Sequence, residues 1–229
     1  MMDLAEVSAA IRRIIRAHRA AFQMVRNDQS KLLELAAITG YAEHYRAHDY
    51  DVTIANPPGQ KSFIIKTSTR GHPWNFSRFV AVRGEEVVEL HMNLMVRSAH
   101  DKGIYCVDVG VVKAGCIPSS RPAQPWECLS NESLITFAEV KKLVVYPMLL
   151  AQFVGIVHEI LPKYLAVARR RRTSHPPPTL IALGTFSGNS TSIVGSYRSR
   201  KINLQIAENY DIRLARLRNS PLTSPFFAK

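Results

Sequence analysis

The chain is poor in the residues that announce the commoner chemistries. Cysteine occurs three times, at Cys106, Cys116 and Cys128, an odd number without a short-spaced pair. That excludes a disulfide framework and a zinc ribbon. His44, His48, His91, His100 and His158 read as structural or exposed side chains rather than metal ligands. The stretch 184–191 has the glycine and hydroxyl residues of a phosphate loop but lacks the lysine before Ser/Thr, so a nucleotide site is not expected. No serine, histidine and aspartate are placed to suggest a hydrolytic triad. The longest apolar run, 143–161, is interrupted by Pro147, Gln152, His158 and Glu159. It therefore reads as a packed helix and not a membrane span. The first residues lack the basic-then-apolar order of a signal peptide, and the expectation is a soluble chain in a reducing, cytoplasmic compartment.

Acid is also scarce. Eighteen Asp and Glu face thirty Lys and Arg, giving a net charge of +12 in a chain of 229 residues. Such an excess suits a polyanionic partner, either nucleic acid or an anionic membrane surface. The apolar share of 46% and charged share of 21% are ordinary for a folded protein, and the length suits one core with an appendage.

Along the chain, Val7, Ile11, Ile14, Ile15 and Phe22 recur at helical spacing, with Arg12, Arg16 and Arg19 on another side. A second helix is expected from about Ser30 to His48. Short strands are expected over 51–55 and 62–66, a hairpin around Gly84, and an apolar strand over 104–112. Residues 113–133 are long enough to form a working loop. A charged strand over 137–143, a helix opening on Pro147, and a strand–helix–strand unit over 179–206 follow. Arg169, Arg170, Arg171 and Arg172 form a basic run, and Arg213, Arg216 and Arg218 mark a basic tail.

The chemistry concentrates on two of these strands. Period-two alternation puts Phe137, Glu139 and Lys141 on one side and Ala138 and Val140 on the other. A carboxylate and an ammonium in apolar sequence are costly to bury without a task. Asp108 is the single acid of the 104–112 strand. Asp108 and Glu139 offer the oxygen ligands that Mg2+ prefers, with the Val140 carbonyl as a further ligand. A metal there would polarise a phosphodiester and activate water, and Lys141 would orient that water and offset charge. Glu43 on the second helix is a candidate third acid, with Glu34 competing for the role. Gln152 is placed to orient Lys141 or touch substrate.

An acid on one strand, Glu-x-Lys on the next, a helical acid before them and a closing strand–helix–strand resemble the PD-(D/E)xK, restriction-endonuclease-like, nuclease superfamily. The resemblance covers roughly residues 30–207. Asp108 matches the first strand acid, Glu139 and Lys141 the (D/E)-x-K pair, and Glu43 the helical acid. The chain departs in having Val107 where a proline often stands, thirty residues between Asp108 and Glu139, and Ile156 in place of the tyrosine of a Gln-x-x-x-Tyr motif. The resemblance implies a three-layer α/β/α core with a mixed central sheet over 28–210. Flanking it would be an N-terminal helical extension over 1–27 and a basic tail over 211–229. It implies an Mg2+-dependent, Mn2+-tolerant nuclease acting on DNA, or alternatively RNA, of restriction or defence type. A homodimer, a helicase or methyltransferase partner, and phosphate contacts from Arg12, Arg16, Arg19 and Arg169 to Arg172 belong to the same expectation. The rival expectations are a non-catalytic nucleic-acid-binding or assembly module on the same fold, and a membrane-surface protein.

Overall fold

Seven strands lie in one sheet, side by side in chain order: β1 (Asp51–Ala55), β2 (Arg78–Arg83), β3 (Glu86–Arg97), β4 (Ile104–Lys113), β5 (Leu134–Lys141), β6 (Thr179–Ala182) and β7 (Gln205–Ala207). They are drawn from a computed structural model that describes residues 29–166 and 174–210. The first five strands pair antiparallel, and β5, β6 and β7 run parallel. The connections impose this change. Gly84 and Glu85 close the β2–β3 hairpin, with Gly84 at φ 59°, whereas parallel neighbours need long crossovers. Those crossovers are α2 (Pro147–Ile160) and α3 (Ser190–Ser199).

Helices cover both faces. On one side α1 (Gln29–Arg46) packs Leu33, Ala37, Ile38, Tyr41 and Tyr45 onto Leu90, Met92, Val109, Ala138 and Val140. On the other, Leu149, Phe153, Val157 and Ile160 of α2 pack onto Leu94, Val107, Phe137 and Leu180. Buried from both sides, β6 is apolar or hydrogen-bonded at every position, as central parallel strands are. The chain is therefore a mixed α/β fold built on a seven-stranded sheet. No described helix is long and apolar enough to cross a membrane.

Apart from the bulge where Val111 and Val112 face Thr136 and Leu134, the alternation of faces breaks in the middle of the sheet. Val88, Leu90 and Met92 pack under α1, yet Leu94 and Val96 pack under α2. Across from them, Val109 and Val111 lie under α1 and Val107 under α2. Residues two apart on a strand normally share a face. Here Asn93 sits between the two sets in the left-handed region, at φ 49°. Its register position, between Met92↔Val109 and Leu94↔Val107, is opposite Asp108. One left-handed residue thus turns both strands over at the level of the acid.

The expected strand over 62–66 does not form. Ile64 spends its N–H on Ser77 Oγ and its carbonyl on the Ser77 N–H, while Lys66 offers its carbonyl to the Asn93 side chain. These partners satisfy the backbone and leave no ladder. In the expected strand–helix–strand unit over 179–206 the helix is α3, and the final strand is only Gln205–Ala207. The basic groups at Arg12, Arg16 and Arg19, at Arg169 to Arg172, and in the tail lie outside the described residues.

Gly184, in the stretch that resembled a phosphate loop, has a packing role instead. A Cβ at this position would meet Val144 Cα at 2.6 Å and Val144 N at 2.8 Å. Backbone cannot step aside as a side-chain tip can, so Gly184→Ala is expected to cost about 1–3 kcal/mol of stability, as overpacking does. Urea denaturation checks this, and an unchanged midpoint would contradict so close a crossing.

Candidate active site

The site lies where β4 and β5 part. Their ladder ends at Val109↔Ala138, and continuing that register would place Asp108 opposite Glu139. Asp108 turns its carboxylate into the opening, where Oδ2 accepts the Val140 N–H at 2.7 Å. A side chain has replaced the backbone acceptor that the next rung would have supplied. Because N–H and C=O of one strand residue face the same edge, the Val140 carbonyl is turned to this opening too.

Lys141 joins the two acids. Its Nζ donates to Glu139 Oε2 at 2.8 Å and to Asp108 Oδ2 at 3.2 Å. The three side chains that the sequence singled out therefore converge. Glu139 is only 4% exposed, and its other oxygen, Oε1, is buried without a hydrogen-bond partner. An orphaned buried carboxylate oxygen is unfavourable unless a proton or a cation satisfies it. Burial pushes the Glu139 carboxyl up to about 7; repulsion from Asp108 adds to the rise and Lys141 offsets part of it. Burial would lower the Lys141 ammonium, but Glu139 and then Asp108 outweigh it, and the net shift is upward. Lys141 is consequently a charged donor at neutral pH, suited to orienting groups and offsetting charge more than to taking a proton.

Of the two acids considered on α1, Glu34 and not Glu43 is tied to this cluster. Glu43 pairs with Arg46 of its own helix. Glu34 is the acid turned toward the sheet. It is 6% exposed, bonds Lys31 at 2.7 Å, and accepts from Asn93 Nδ2 at 2.9 Å, and its charge contributes to the rise at Glu139. The two glutamates are nine positions apart, about half a turn out of phase at 3.6 residues per turn, so both cannot face the sheet. Gln152 is exposed on α2 and has no hydrogen bond to Lys141.

Two residues passed over in the sequence complete the cluster. Asn93 also donates to the Lys66 carbonyl at 2.9 Å. Lys66, 3% exposed, donates its ammonium to the Asn93 and Ser68 carbonyls at 2.6 and 2.8 Å. Burial lowers the Lys66 pKa. A polar asparagine inside an apolar strand was the available signal for the first. The second had none beyond being a lysine in an apolar stretch. Cys106 lies close by, but burial pushes its thiol up to about 12, which leaves it inert as a nucleophile.

Among the described residues no three His, Cys, Asp or Glu side chains form a group able to hold a metal ion. The donor set instead fits a hard cation that keeps several waters, with carboxylates from Asp108 and Glu139 and the Val140 carbonyl. Glu139 Oε1, unpartnered and buried, is the specific feature that such a cation would satisfy. Comparison with protein-family models, with curated proteins and with solved structures gives no match for this chain.

Proposed function

We propose that the chain is a divalent-metal-dependent nuclease that hydrolyses DNA phosphodiester bonds, a restriction- or defence-type endonuclease on a restriction-endonuclease-like core. The observation that carries the reading is the sharing of one ammonium, Lys141, by carboxylates from two parting strands, one of which keeps a buried oxygen unpartnered. Mg2+ or Mn2+, when bound, supplies charge neutralisation at the phosphoryl group and a more acidic water. Asp108 and Glu139 would hold it, and Asp108 is itself fixed by the Val140 N–H. Lys141 would donate to the attacking water or a phosphate oxygen. The water oxygen bonds to phosphorus as it gives a proton to solvent, the bond from phosphorus to one sugar oxygen breaks, and that oxygen takes a proton from solvent. Glu34 would support the site from α1 through Asn93. The charge of +12 favours a polyanionic substrate, and a homodimer would let two such sites cut both strands.

Plasmid nicking tests this. The full chain is expected to cut supercoiled DNA with Mg2+ or Mn2+, to stop in EDTA, and to lose activity on Asp108→Ala with its circular dichroism retained. Full activity in Asp108→Ala would overturn the site. DNA binding without cleavage in any metal would favour the non-catalytic module.

A companion pair of variants decides between the helical acids. Glu34→Gln is expected to lower cleavage about 10–100-fold, the usual cost of losing a group that orients metal ligands. Glu43→Gln, which removes only a pair within α1, should leave the rate within a factor of about two. The opposite ranking would return the role to Glu43.

A further inference from the structure

Two loops outside the catalytic cluster meet over an open groove. One is 56–77, between β1 and β2, and the other is 114–133, between β4 and β5. Pro57, Gln60, Trp74, Asn75, Ser119 and Arg121 are among the residues that line it, and it encloses about 420 Å³. That volume falls within the range of small-ligand sites. Of three aromatic side chains in mutual contact, Trp74 lines the groove. His72, exposed, lies flat on Trp74 at 4.4 Å and 4°, and Trp126 meets Trp74 edge-on at 5.6 Å. The charge is mainly positive. Residues 56–77 and 114–133 include Lys61, Lys66, Arg70 and Arg121 against Glu127, which pairs with Arg97, and Glu132. Lys61, Arg70 and Arg121 are exposed and pair with no carboxylate among the described residues.

We infer that this groove binds an unpaired nucleic-acid strand, with a base stacked on the His72–Trp74 layer and its phosphates drawn by Arg121, Lys61 and Arg70. The inference rests on the nuclease reading for the identity of the polyanion, and it adds a subsite that takes an unpaired strand beside the cluster that would cut. A stack offering a ring face is of use only to a base whose own face is free, which in a duplex it is not. Cations paired with no carboxylate attract the backbone whatever its sequence. The groove is also joined to the catalytic cluster. The 56–77 loop carries Lys66, whose ammonium holds the Asn93 carbonyl opposite Asp108. A strand seated in the groove thus lies on a loop fixed to the residues that flank the acid.

The test uses an accident of composition. Trp74 and Trp126 are the two tryptophans of the whole chain, so intrinsic fluorescence reports on this groove and not on the basic segments elsewhere. The full chain, kept in EDTA so that nothing is cut, is titrated with oligothymidylate and with a hairpin duplex of equal charge. Saturable quenching by oligothymidylate, at least tenfold stronger than by the duplex, is expected. His72→Ala should weaken it about tenfold, as loss of one stacking platform does. Arg121→Ala should lower the slope of log affinity against log salt by about 0.7, the value for one phosphate contact on a single strand. Both positions are exposed, and near-ultraviolet circular dichroism confirms that the variants fold. Equal quenching by duplex, or quenching unaltered in both variants, overturns the inference. Because cleavage is not read, failure here leaves the nuclease proposal standing, and a chain that quenches but never cuts separates the two in the other direction.

Discussion

Lys141→Met is expected to reduce DNA cleavage about 10²–10³-fold, the usual cost of removing one donor aimed at developing charge, while making the protein respond more strongly to Mg2+. The two effects share one cause. In the folded chain the Lys141 ammonium sits on Glu139 Oε2 and Asp108 Oδ2, the same carboxylates that would hold a cation. It neutralises them in the absence of metal, and a metal must share them with it. Methionine keeps the length of the side chain and removes the charge. Asp108 and Glu139 then repel each other without a counter-ion, and Glu139, already 4% exposed, has both oxygens short of donors. Without metal the variant should melt below the wild type, since one partner of a largely buried group has been taken away. Added Mg2+ should then raise its melting temperature by more than it raises the wild type's, because binding to the folded state alone stabilises by RT ln(1 + L/Kd), with L the free Mg2+ concentration, and the vacated carboxylates bind more tightly. Thermal melts with and without 10-fold steps of Mg2+, beside cleavage rates, read both effects. A variant that cuts normally, or whose melting temperature ignores Mg2+, would remove Lys141 and the carboxylates from the chemistry together.

Much of this site was legible because it depends on short-range patterns. The alternation of Phe137, Ala138, Glu139 and Val140 assigns faces correctly, with Phe137 under α2 and Ala138 under α1. Asp108 stands out as one acid in an apolar strand, and Pro147 does open α2. The features missed depend on pairing between distant parts. Choosing Glu34 over Glu43 requires knowing which side of α1 meets the sheet, and buried residues surround that helix so broadly that neither side stands out. The exchange of faces at Asn93 is invisible in β3 itself, where nearly every position from Val88 to Val96 is buried. It follows from a left-handed residue set opposite Asp108 and from Lys66 reaching in from another loop. The strand expected over 62–66 failed for the same reason. Its apolar pattern was real, but Ser77 and Asn93, distant in sequence, took its hydrogen bonds.

The orphaned oxygen of Glu139 can be satisfied by a proton or by a cation, and the competition between them sets the expected pH behaviour. Burial, with repulsion from Asp108, raises this carboxyl from 4.5 to about 7 on folding. Between those values the folded chain holds a proton that the unfolded chain has released, so stability falls as pH rises through the window. The total loss is on the order of 3 kcal/mol, since each tenfold change in proton affinity is worth about 1.36 kcal/mol. Below about 4.5 both states are protonated and above about 7 both are ionised, so this contribution is flat on either side. Glu139→Gln, neutral at all these values, should remove this falling contribution, read as the difference between wild-type and variant denaturant midpoints from pH 5 to 8. Divalent metal requires the ionised form, and below the folded pKa each step of one pH unit costs about tenfold in apparent affinity. At limiting Mg2+, cleavage should therefore climb from pH 5 to about 7 and then level. Raising Mg2+ should move that limb to lower pH, because the cation displaces the proton by mass action. A limb that stays at one pH across a hundredfold range of Mg2+ would place the titrating group away from the metal ligands and remove Glu139 from among them.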